Sequence, residues 1–168
     1  METNTIIQIL AAVGSTFAFG IIYNLKGKKL IFASIGGGIG WAVYVFFKSH
    51  GNSNPGSFLF AAMAITIFSE ISARVLKTPV TSTLIASLIP LVPGSGVYFT
   101  MSYFVQGYTE MAISKGIETL LITVAITVGI VMISAFSQIY YKIKKYDLKK
   151  QAQLKKQAIK NKIKKGES

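Results

Sequence analysis

IPLVPGSG, residues 89–96, lies inside an apolar run of membrane length, residues 80–106. Pro90 and Pro93 have no N–H to close a helical ladder, and their rings clash with the turn before them. Gly94 and Gly96 follow at once and weaken the helix further. A backbone broken at membrane depth exposes polar groups that lipid cannot satisfy, so it must be buried in protein or line a cavity. In transporters such breaks often mark the binding site. The 27 residues of this run exceed the roughly 20 that a spanning helix needs. Two half-helices joined by an unwound turn are therefore predicted, within an all-α integral membrane bundle.

Working outward, further apolar runs read as spans at 5–24, 30–47, 57–76 and 113–141. Five transmembrane helices result, the fourth broken at Pro90/Pro93. Four spans plus a re-entrant segment at the prolines is the competing count. The second span carries Ser34, Gly36, Gly37, Gly38 and Gly40, small residues that let helix backbones approach closely in a membrane. Trp41 and Tyr44 follow them. The connections are a basic turn at 26–29, a loop of turn formers at 48–55, Lys77-Thr78-Pro79, and a polar turn at 107–110.

Only 14% of the 168 residues are charged, about half the usual share of a soluble domain. No cysteine is present, which excludes disulfides and thiolate metal or redox sites. The start of the chain lacks a basic region, and no small-residue cleavage motif follows the first apolar run. The first helix is therefore expected to stay in the mature protein. Eleven of the eighteen basic residues fall between Lys142 and Lys165. With five spans, one membrane face collects sixteen Lys/Arg residues and the other keeps Lys48 and Lys115. The positive-inside rule then places the N-terminus outside and the C-terminus in the cytoplasm of a cell-membrane protein.

The organisation is thus a five-span membrane domain, 1–141, and a lysine-rich cytoplasmic helix or tail, 142–168. Leu148, Ala152, Ile159 and Ile163 give the tail a thin apolar stripe. It reads either as a basic helix on anionic lipid or as a solvated tail that reinforces topology. Aromatic interleaving is missing, so nucleic acid is not an expected partner.

Glu70 and Arg74 are four residues apart and share one face of the third helix. Ionisable groups in spans are costly and face a partner or a water-filled path. One reading is an ion pair that fixes helix packing near the interface. The other makes Glu70 a proton-coupling or substrate-ammonium group oriented by Arg74. At the break, carbonyls around residues 86–89 lose partners, while the N–H groups of Gly94, Ser95, Gly96 and Val97 open a new half-helix. A carboxylate could dock on those donors; a kinked helix satisfied by its neighbours is the alternative. Thr119, Thr123, Thr127, Ser134 and Ser137 form a stripe that reads first as packing. Glu110, Lys115 and Glu118 read as an outer charge cluster with a minor claim on substrate release. His50 sits in a turn. No cofactor, metal cluster or nucleophile–base pair is indicated, and an enzyme is not expected.

The run Ser69-Glu70-Ile71-Ser72-Ala73-Arg74, then Lys77-Thr78-Pro79, then Ile89-Pro90-Leu91-Val92-Pro93-Gly94 and Tyr98 resembles the threonine/serine exporter family. It is similar in particular to the small five-helix subunit of the split, two-chain type. The resemblance implies proton-driven export of threonine, serine or similar small solutes, together with a larger membrane subunit of the same family. It adds Tyr98 to the candidates. Exchange of the substrate for another small organic acid, a non-transporting scaffold subunit, and association with further copies of the chain stay open.

Overall fold

The computed structural model describes residues 2–166, with side chains for 4–143. The chain is helical: α1 Glu2–Ile22, α2 Lys28–Ser49, α3 Asn54–Val75, α4 Val80–Leu88, a 3-10 turn Ile89–Leu91, α5 Gly94–Val105 and α6 Thr109–Gly166. No strand occurs among the described residues. Two compact units divide it, Met1–Ile133 and Ser134–Ser168. The first holds the packed helices; the second is the remainder of α6. The tail's apolar stripe and lysines from 144 on, read as a lipid-binding surface, lie outside the described side chains.

Among the described residues, four helices are long and apolar enough to cross a membrane, five if the bent pair α4–α5 is one span. α1, α2, α3 and α5 end in the same way. A residue with left-handed φ follows each: Asn24, Gly51, Lys77 and Gly107. The next N–H then reaches back, Leu25 to the Gly20 carbonyl and Thr78 to the Ala73 carbonyl, both at 2.9 Å. This closes carbonyls the helix leaves open. The sharp stop keeps the connections short and the helices antiparallel neighbours. α3 starts where Ser53 accepts the Gly56 N–H at 3.3 Å, with Pro55 in the first turn.

α2 is the centre of the packing because it is nearly bare. A Cβ on Gly37 would run into Thr16 of α1, and one on Gly38 would lie 2.6 Å from Val13. On its other side, Gly36 meets Phe68 and Ser87, and Gly40 meets Ile65 and Leu91. The predicted close approach therefore happens on both flanks of one helix. Ala61, Ala62, Ile65 and Leu91 are fully buried, with Trp41, Tyr44, Phe58 and Ile126 packed around them. Outward positions such as Ile71, Ile85, Met101 and Leu120 are exposed and apolar, as lipid requires. Many hydroxyls bond back to the carbonyl four residues earlier, as Thr16 does to Ala12 and Thr66 to Ala62.

The proline break bends the α4–α5 pair by 47°. It does not leave the expected set of orphan carbonyls. A 3-10 turn tightens the backbone, so Ile89 N–H reaches Ala86 O and Val92 N–H reaches Ile89 O at 3.2 Å. Acceptors before Pro90 are thereby largely used up, and the turn drives Leu91 into the core.

Candidate functional site

The break borders a cavity of about 270 Å³. α2 supplies Trp41 and Tyr44, α3 supplies Asn54 and Phe58, and α6 supplies Lys115, Glu118 and Thr119. Pro90, Val92, Pro93, Ser95 and Gly96 form the wall at the break. Each wall has a local cause. Trp41 follows directly on Gly40, where α2 is pressed against Ile65 and Leu91. Gly96 lets α6 approach so closely that a Cβ there would strike Thr119. Thr119 itself is held by its bond to Lys115 O at 2.7 Å.

The polar groups form one chain. Lys48 Nζ donates to Asn54 Oδ1. Asn54 Nδ2 donates to Glu118 Oε1 at 2.5 Å, and Lys115 Nζ donates to Glu118 Oε2 at 2.8 Å. Both carboxylate oxygens are thus occupied, in charge-assisted bonds of the stronger kind. Lys115 and Glu118 side chains keep 36% and 33% exposure, so a solute entering the cavity can reach them. Two ammonium groups and one carboxylate leave this corner with a formal charge of +1, so it can engage a carboxylate and an ammonium of one solute together.

The α5 N-terminus contributes fewer donors than expected. Gly94 N–H donates to Val92 O at 2.7 Å and Val97 N–H to Pro93 O at 3.2 Å. Ser95 and Gly96 hold the second and third helical positions, whose N–H groups have no acceptor within a helix. No side chain caps this end. Of the residues singled out from the sequence, Pro90, Pro93, Ser95 and Gly96 line the cavity. Val97 and Tyr98 are exposed, and Gly94 faces open space with nothing within 4 Å of a Cβ placed on it.

Glu70 and Arg74 stand elsewhere. They pair with each other at 2.8 Å, Glu70 the more buried of the two. Glu70 is sixteen residues beyond Asn54 on α3, roughly 24 Å along the axis. The structure therefore does not bring Glu70 to the break; the carboxylate it brings there is Glu118. Asn54, Lys48 and the aromatic trio Trp41, Tyr44 and Phe58 escaped sequence reasoning. Asn54 read as a loop residue, although Ser53-Asn54-Pro55 is a helix-start pattern that could have placed it on α3. The threonine stripe is divided: Thr119 faces the cavity, whereas Thr123 and Thr127 bond back to their own helix and are exposed.

Two further cavities adjoin this one. One, lined by Gln8, Ala12, Ser15, Trp41 and Pro90, shares the Trp41–Pro90 wall, and Trp41 Nε1 donates to Gln8 Oε1 at 3.3 Å. The other, with Tyr103, Glu110, Ser114 and Lys115, shares Lys115.

Helices long and apolar enough to cross a membrane, with a proline-bent helix pair beside a polar cavity of paired charges, fit the class of membrane transporters of small solutes. The family described as "Threonine/Serine exporter, ThrE" matches residues 8–136. The chain belongs to that family, and the match covers every residue that lines the cavity. No curated protein and no solved structure matches it.

Proposed function

We propose that the chain is one subunit of a proton-driven exporter of threonine or serine, acting with a larger membrane subunit of the same family. The observation that carries this reading is the Glu118–Lys115 pair facing the uncapped α5 N-terminus across one cavity. A zwitterion fits that arrangement: its ammonium replaces Lys115 on Glu118, and its carboxylate takes Lys115 and the N–H groups of Ser95 and Gly96. About 270 Å³ lies just below the roughly 300–1,000 Å³ of drug-sized sites, which suits a small solute. Trp41, Tyr44 and Phe58 supply the apolar walls that exclude water.

In this reading α4–α5 is a single broken span, giving five, with the N-terminus outside and the C-terminus in the cytoplasm. The sixteen-to-two split of Lys/Arg supports that orientation. Glu70, held by Arg74 near the cytoplasmic interface, is the coupling group for the proton. The lysine tail adds attraction to anionic lipid.

The deciding experiment is efflux of labelled threonine and serine from preloaded cells lacking this chain, its partner subunit, or both. Loss of efflux in each case is expected; wild-type efflux without the chain would overturn the assignment. Glu70→Gln should abolish the part of efflux that depends on the pH gradient while the protein still inserts. Gradient-driven efflux at the wild-type rate would leave Glu70 as a packing ion pair.

Gly94→Leu is a separate probe of the break. Gly94 does not itself line the cavity, but it stands between Pro93 and Ser95, which do, and a Cβ placed on it meets no neighbour within 4 Å. Export should fall by about tenfold or more, the loss of one interaction of about 1.4 kcal/mol. Normal export with Gly94→Leu would make the turn merely structural.

A further inference from the structure

Three helices repeat one order of residues on their buried faces, read from the end of the bundle that carries the 26–29 turn. α2 presents Ser34, then Gly36 and Gly37, then Gly40. α3, running the opposite way, presents Ser72, Ser69, then Ile65. α4 and its 3-10 turn present Thr83, Ser87, then Leu91. Hydroxyls come first on each, and the apolar contact of Ile65 and Leu91 against Gly40 comes second. Directly past that contact lie Trp41 and Val92, which already belong to the cavity. Gly40, Ile65 and Leu91 therefore form a plug between the cavity and a hydroxyl-bearing seam.

The hydroxyls of the seam are not all accounted for by packing. Ser34 and Ser72 bond back to their own helices, and Ser87 donates across to Ala33 O at 2.8 Å. Ser69 and Thr83 are 0% exposed and have no hydrogen-bond partner; Thr78 Oγ1, in the turn between α3 and α4, is also buried without one. Native structures rarely leave buried polar groups unpaired, and each such group is unfavourable where it stands. A seam that stayed dry in every conformation would be served better by alanine and valine at these positions. Water or a polar solute between the helices would satisfy them.

We propose that this seam is the second half of the solute path, shut in the present conformation and hydrated when α4 swings away from α2 and α3 and the plug parts. It rests on the reading that the cavity holds a transported solute. The 3-10 turn is the point of flexure, because the α-helical ladder is interrupted there and its bonds reach back no more than three residues: Ile89 N–H to Ala86 O, Val92 N–H to Ile89 O and Gly94 N–H to Val92 O. Two access routes on opposite sides of one plug, never open together, are what alternating access demands.

The chain has no cysteine, so single cysteines can report access without background from it. Ser69→Cys and Thr83→Cys, each in the full chain with its membrane partners, are treated with a charged methanethiosulfonate reagent from either membrane face. Ile71→Cys and Ile85→Cys, on the outward sides of the same two helices at 54% and 50% exposure, serve as lipid-facing controls. From the face bearing the 26–29 turn, the seam positions should react an order of magnitude faster than the controls, since a minor open state suffices for irreversible labelling. Rates as slow as the controls from both faces would overturn the proposal. Trimming the plug with Leu91→Ala should raise Ser69→Cys labelling from the Asn54 side, and an unchanged rate would remove Leu91 from the barrier. Labelling needs no knowledge of the solute. Failure to export threonine or serine would thus sink the substrate reading and leave the seam to be judged by its own result.

Discussion

Glu118→Gln is expected to lower threonine or serine export by about 10- to 100-fold while the protein accumulates in the membrane at its normal level. The range follows from the about 1.5–3 kcal/mol assigned to hydrogen bonds with charged groups, at about 1.4 kcal/mol per tenfold. Glutamine keeps the shape of the side chain, and its carbonyl can still accept from Asn54. What disappears is the negative charge between Lys115 and the entering solute. The corner then carries two ammonium groups and no carboxylate, and a solute ammonium is repelled where it was held. Asn54→Ala separates this from a tethering role. It removes the α3 link to Glu118 and leaves the charge, so its export should fall far less than that of Glu118→Gln. Efflux of labelled amino acid from cells expressing each variant, normalised to membrane protein by immunoblot, makes the comparison. Equal losses for both variants would make Glu118 a tie between α3 and α6 and remove it from the solute site.

Much of the architecture was legible because hydrophobic length and turn chemistry act locally. The first three apolar runs reappear as helices within a few residues of their expected limits, Pro90 and Pro93 interrupt the fourth where their missing N–H groups require it, and the fifth begins near its expected start but continues well past 141, to Gly166. The site was legible only in part. The break and its wall residues Ser95 and Gly96 follow from backbone rules, which need no partner. Which carboxylate faces the break depends on how far α6 slides along α5, and that is set by Gly96 accepting Thr119 against its bare backbone. Nothing in the sequence around Glu118 announces that contact. Glu70 drew attention because it lies within a span beside an arginine, yet it is placed about 24 Å along α3 from Asn54 by simple helical rise. The donors at Gly94 and Val97 were overcounted for a different reason. The chain uses both to close its own turn, through Val92 O and Pro93 O.

The same contact logic makes Gly40 a position that no larger residue can take unless its neighbours move. Gly40→Val would push a branched side chain into Ile65 and toward Leu91, whose Cδ1 lies 3.5 Å from the Cβ position. Ile65 and Leu91 are fully buried, so neither can swing out toward the surface. Forcing extra carbons into such a core costs about 1–3 kcal/mol, occasionally more. Here the strain is shared by three segments, since α2, α3 and the 3-10 turn meet at this one point. Thermal unfolding in detergent should therefore shift down by several degrees, and less protein should reach the membrane. The charge network around Glu118 would lose its frame as a consequence, because Trp41 and Tyr44 ride on the turn of α2 that must move. If volume is the cause, Ile65→Ala should restore much of what Gly40→Val removes, by clearing the space the new methyls occupy. Ile65→Ala alone should be destabilising by about 2–5 kcal/mol through the cavity it leaves. Two variants that are each harmful and are together milder would tie the stability of the bundle to the fit between one missing side chain and one isoleucine. Additive losses would show that Gly40 is needed for some other property of α2.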